Sequence, residues 1–136
     1  MPIIELDMLI AFVNASDSLH RLADNLFKKI TRGELREVKV ASSALLEYEL
    51  VLRSRGHEER EIREDIRAFN MMPNLGEEPL TAEVILKASE IREKHSLSYF
   101  DSLHCATAIL FDGEIISIDC AYDDVPEVSR LDPRLL

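Results

Sequence analysis

Ser98-Tyr99-Phe100-Asp101-Ser102-Leu103-His104-Cys105-Ala106-Thr107-Ala108-Ile109-Leu110-Phe111-Asp112-Gly113-Glu114-Ile115-Ile116-Ser117-Ile118-Asp119 is the stretch whose reading decides the fold. Ser98 is a natural helix N-cap, the residues after it are small and apolar, and Gly113 supplies the stop. Glu114 to Ile118 then reads as a short buried strand, and an acid, Asp119, follows at once. Working outward, Pro2 to Leu6 and Val38 to Ala41 read as two more short strands. Between them the chain turns helical from Ser16, where Leu19, Leu22, Ala23, Leu26, Phe27 and Ile30 repeat at helical spacing and Gly33 closes. Ser42 to Arg55 predicts an apolar helix ending at Gly56. Glu58 to Met72 predicts a more polar one with Ile62, Ile66 and Phe69 inward. Pro73, Gly76 and Pro79 mark a loop, and helix returns over Thr81 to His95 with Val84, Ile85, Ala88 and Ile91 inward. A short element over Val128 to Leu131 closes the chain. Apolar strands separated by helices predict a mostly parallel sheet covered on both faces, a three-layer α/β/α sandwich. With no repeat or linker in sight, residues 1–136 are read as one domain.

Composition removes several function classes. The longest unbroken apolar run is six residues, Met8 to Val13, far short of the roughly 20 a membrane span needs. The opening residues carry no basic lead or long apolar stretch, so no secretion leader is expected. Four well-separated glycines exclude a glycine-rich phosphate cradle. Cys105 and Cys120 form no metal-ligand pattern and are read as reduced thiols of a cytoplasmic protein. A formal charge of −10 is the wrong sign for holding nucleic acid by bulk electrostatics. Any such contact must be local, or must run through a bound cation.

Four of the acids fall where an α/β sheet places its chemistry, outside the carboxyl ends of the strands. Asp7 ends the first strand, Asp119 ends the last clear one, and Asp101 lies in the first turn of the helix feeding that strand. Glu47 sits one to two turns into the helix that leaves the second strand. Each has a plainer reading. Asp7 fits the N-cap of a short helix, Asp101 completes a capping box with Ser98, and Asp119 opens an acidic turn. Glu49 competes with Glu47, and periodicity does not choose between them.

At these residues the sequence resembles the PIN-domain (PilT N-terminus) nucleases. The resemblance is carried by Leu6-Asp7 with the aliphatics Leu9-Ile10-Ala11, and by Ser42-Ser43-Ala44-Leu45-Leu46-Glu47. It continues through Asp101-Ser102-Leu103-His104-Cys105-Ala106-Thr107-Ala108, then Ser117-Ile118-Asp119 with Tyr122 and Val125. Leu9 stands where members often carry Asn, Ser or Asp, and Ser117 where Thr is more usual. The resemblance implies a metal-dependent ribonuclease in which Asp7, Glu47, Asp101 and Asp119 hold Mg²⁺ or Mn²⁺. Ser117 and Asp123 would stand behind them. It also implies an RNA substrate, a homodimer, and the toxin role of a toxin–antitoxin pair silenced by a small antitoxin. The apolar helices around Leu45 to Leu52 and Ile62 to Phe69 would offer surfaces for such partners.

Basic residues must then supply the remaining phosphate contacts. Arg21, Lys94 and His95 are expected nearest the site rim, whereas Lys28, Lys29, Arg32, Arg36 and Lys39 follow a helix to the opposite rim. His104, one turn from Asp101, is read mainly as core-edge packing, with an acid–base role as the rival. His20 and His57 receive no role. The competing reading is a catalytically inert PIN-like interaction module, favoured by Leu9 and the negative charge. A phospho-acceptor receiver domain fits poorly, because Glu5-Leu6-Asp7 is not its acid pair and no lysine follows Lys94.

Overall fold

Residues 2–35 and 37–136 are described by a computed structural model. The elements run β1 (Ile3–Ile4), α1 (Leu6–Val13), α2 (His20–Thr31), β2 (Val38–Ala41), α3 (Ser42–Ser54), α4 (Glu59–Asn70) and β3 (Leu75–Glu78). They continue with α5 (Ala82–Lys94), α6 (Tyr99–Phe111), β4 (Glu114–Ile116), a 3₁₀ turn over Cys120–Asp124, β5 (Ser129–Leu131) and a last 3₁₀ turn over Pro133–Leu135. All four strand pairings are parallel, in the order β3-β2-β1-β4-β5. Ile3 and Ile4 sit at the centre, opposite Lys39 and Val40 on one side and Ile115 and Ile116 on the other. The chain steps from β1 to β2 to β3, then crosses back to β4. Right-handed connections therefore put the helices before β3 and those after it on opposite faces. The switch of direction lies between β1 and β4, where an open α/β sheet leaves a crevice above its carboxyl edge.

The helix ends follow the capping residues. Ser98 Oγ accepts from the Asp101 amide at 3.2 Å, and Thr81 Oγ1 from the Val84 amide at 3.2 Å. Gly33, Gly56 and Gly113 all have positive φ just past helix ends, the left-handed geometry in which a Cβ is strained. Phe12, Phe27, Phe69 and Tyr48 form a ring cluster with centroids 4.6–6.2 Å apart, locking α1, α2, α3 and α4 together.

Three expectations are corrected. The first strand stops at Ile4 rather than Leu6, because Glu5 turns out of the sheet to cap α1. The Gly76 region is not a loop but the edge strand β3. Its polar Gly76-Glu77-Glu78 is held from β2 and α3, with Lys39 Nζ 3.2 Å from Glu78 and Ser42 Oγ donating to Glu77 at 2.5 Å. Ile85 faces outward at 48% exposure, since α5 buries only the stripe Val84, Ala88 and Ile91. Among the described residues, no helix is long and apolar enough to cross a membrane. Arg36 of the basic cluster lies outside the described residues.

Candidate active site

The crevice between β1 and β4 is a cleft of about 310 Å³ lined by Glu5, Leu6, Asp7, Ile10, Asp17, Leu19, Glu47, Asp101 and Asp119. All four acids picked from sequence reach it, joined by Glu5 and Asp17, and among the described residues no lysine or arginine lines it. Asp17 Oδ1 accepts from the Leu19 amide at 2.8 Å, which folds the loop before α2 over the rim. Arg21 is exposed in the first turn of α2, just beyond that loop. Lys94 and His95 instead line a separate small depression with Lys87 and Glu127. Asp123 turns away to Arg130, at 2.9 and 3.2 Å. Lys28, Lys29 and Arg32 line a different face with Pro133 and Leu136.

The N-cap of α1 is Glu5, whose Oε1 accepts from the Asp7 amide at 3.2 Å. Asp7 is thereby released from capping. Its Oδ2 accepts from the Ile118 amide at 2.8 Å and lies 2.9 Å from Ser117 Oγ. Its Oδ1 is buried with no partner among the described residues. Ser117 Oγ also lies 3.0 Å from Glu5 Oε1, so one hydroxyl proton is shared between two acids. The same shortage recurs at the buried Tyr122, whose hydroxyl lies 3.2 Å from Glu5 Oε2 and 3.3 Å from Asp101 Oδ1. Asp119 follows Ser117, donating its amide to Ser117 Oγ at 2.9 Å while its own Oδ1 accepts from Ala121 at 2.9 Å.

Glu47 and Glu49 separate cleanly in space. Glu49 pairs with Arg53 at 2.6 Å on the outer face of α3, whereas Glu47 enters the cleft and accepts from His104 Nε2 at 2.7 Å. Asp101 keeps the expected relation to Ser98 and also lines the cleft, so the cap does not withdraw it from there. Leu9 is wholly buried in the core and lies off the cleft lining.

The electrostatics match this crowding. Burial, then the Asp7 charge, push the Glu5 carboxyl well above its ordinary range. Burial also raises Asp101, with Asp119 and Glu47 adding to it and Ser98 and His104 opposing. Tyr122 is raised by burial and by the surrounding acids. Glu5, Asp101 and His104 each offer one donor atom, all within 4.8 Å of one another. Hard carboxylate oxygens in excess of hydrogen-bond donors form a donor set suited to a hard divalent cation. Glu5 escapes the sequence reading because an acid inside Pro2 to Leu6 looks like one polar position in a strand. The signal was present, since a carboxylate in so short a buried segment needs a partner.

No curated protein matches the chain in sequence. Among solved structures, the fold resembles VapC20 from Mycobacterium tuberculosis, a sarcin–ricin-loop-cleaving toxin, at TM-score 0.74 and 19% identity over 93% of this chain and 95% of that one. VapBC2 from Rickettsia felis, solved on a promoter DNA fragment, is similar at TM-score 0.73 and 12% identity over 95% and 96% of the two chains. FitAcB from Neisseria gonorrhoeae is similar at 0.70 and 11% over 100% of both. At these identities the likeness speaks for the fold alone. The PIN domain family model matches residues 7–128, nearly the full length and all four acids named above. The chain belongs to the PIN domain family.

Proposed function

We propose that the protein is a metal-dependent endoribonuclease whose cleft carboxylates hold Mg²⁺ or Mn²⁺. The carrying observation is a cleft lined by six acids and, among the described residues, by no lysine or arginine, with Asp7 keeping one buried oxygen, Oδ1, that finds no hydrogen-bond partner among them. Phosphate would be repelled from such a cleft unless a cation offset the charge. Asp7, Asp101, Asp119 and Glu47 are the proposed ligands, with Glu5 the buried acid behind Asp7. When bound, the cation would activate a water and stabilise charge on the scissile phosphate.

The protein's own groups act by holding these acids in place. Ser117 and the Ile118 amide fix one oxygen of Asp7 and leave the other facing inward. Tyr122 spans Glu5 and Asp101, tying the end of β1 to the start of α6. Asp17 and Leu19 close one side of the rim, where Arg21 is the proposed phosphate contact. A toxin–antitoxin role is supported by family membership and by the likeness in fold to the toxin VapC20. The exposed Leu46 and Leu50 on α3 are the proposed contact for an antitoxin or a second copy.

Incubation with single-stranded RNA, with and without Mn²⁺, tests the reading, using Asp119→Asn as the control. Cleavage by the wild type with Mn²⁺ alone, lost in the variant, is expected. Absence of cleavage beside intact Mn²⁺ binding would favour an inert binding module.

A further inference from the structure

We propose that His104 is a positioning residue that aims the Glu47 carboxylate into the cleft, in a tautomer that Glu47 dictates and the Ser43 hydroxyl accommodates. The inference rests on the cleft reading above. His104 is completely buried, with Nε2 2.7 Å from Glu47 Oε1 and Nδ1 2.7 Å from Ser43 Oγ. A carboxylate only accepts, so Nε2 carries the proton. In the neutral ring Nδ1 is then the acceptor, and the Ser43 hydroxyl donates to it.

The geometry makes this link specific. Ser43 and Glu47 are one turn apart on α3 and grip the same ring, while His104 is one turn beyond Asp101 on α6. One imidazole thus ties together the two helices that deliver Glu47 and Asp101 to the cleft. The Phe100 ring, 6.2 Å away between centroids, packs beside it. Serine, histidine and an acid in a row resemble a nucleophilic relay, but Ser43 is fully buried and cannot meet a substrate. Direct metal ligation through Nε2 would remove its proton and break the Glu47 bond. His104 therefore acts through Glu47.

The test has two readouts. Nitrogen-15 NMR of the metal-free protein at neutral pH should show the Nε2–H tautomer at His104. An Nδ1–H tautomer overturns the link to Glu47 whether or not metal binds. Calorimetric Mn²⁺ titration should show about 10- to 100-fold weaker binding in His104→Leu. His104→Gln, whose amide can still donate to Glu47, should recover most of that loss. Glu47→Gln should cost little further in the His104→Leu background. Circular dichroism establishes that each variant is folded. Folded His104→Leu with wild-type affinity, or additive losses in the double variant, overturns the proposal. If the wild type binds no Mn²⁺, the ribonuclease reading fails, and the NMR spectrum alone upholds or overturns the positioning link.

Discussion

Replacing Glu5 by glutamine should flatten the pH dependence of stability in the metal-free protein. Glu5 is 4% exposed, and its donors are one backbone amide and two hydroxyls, all uncharged. Burial first, then Asp7, raise its folded pKa above the ordinary 4.5. A raised pKa means that the folded state keeps a proton the unfolded state has released. Stability therefore falls as pH climbs from about 4.5 to the folded value, then levels off. A one-proton difference gives a slope of about 1.4 kcal/mol per pH unit. Asp101 adds in the same direction, whereas Asp24 and Asp132, both lowered, act below this window. Comparison with the variant isolates Glu5. Glutamine keeps the size and the Oε1 acceptor, so its cost at low pH is one imperfect hydrogen bond, about 1 kcal/mol. Urea unfolding in chelator, stepped upward from the ordinary Glu value of 4.5, should show the two curves cross. Wild type leads at the acid end and Glu5→Gln at the alkaline end. Parallel curves would refute the buried-charge argument for this residue.

Asp101→Asn should stabilise the metal-free protein at neutral pH by relieving desolvation and repulsion from Asp119 and Glu47; lower thermal stability in chelator would contradict this. Saturating Mn²⁺ should raise the melting temperature, since a ligand at 100 times its Kd adds about 2.7 kcal/mol to the folded state. That gain should vanish in Asp7→Asn. Ser98→Ala should cost about 1 kcal/mol through loss of the α6 cap, measured by urea unfolding. Gly113→Ala should destabilise by roughly 1 kcal/mol or more, because φ of +77° strains any side chain at the α6–β4 joint.

Much of this architecture is legible because its signals are local. Gly33, Gly56 and Gly113 mark helix ends through backbone freedom alone, and Val38–Ala41 announces β2 by Val38, Val40 and Ala41 around a single lysine. β3 is hidden because Leu75-Gly76-Glu77-Glu78 has little strand character of its own; Lys39 and Ser42, distant in sequence, hold its acids. Ile85 misleads because a three-four spacing does not say how wide the covered stripe on α5 is. The choice of Glu47 over Glu49 depends on His104, fifty-seven residues away, which no periodicity of α3 reports. Glu5 is missed for a related reason. Its burial is set by Ser117 and Tyr122, which close over it only when β4 pairs with β1.

Paramagnetic broadening by substoichiometric Mn²⁺ in an amide NMR spectrum tests the central claim most directly. The account predicts early loss of signals at Asp7, Glu47, Asp101 and Ile118–Asp119, with the Lys29 and Leu136 face untouched. Broadening scattered over the many surface acids, or centred away from the β1–β4 crevice, would contradict it.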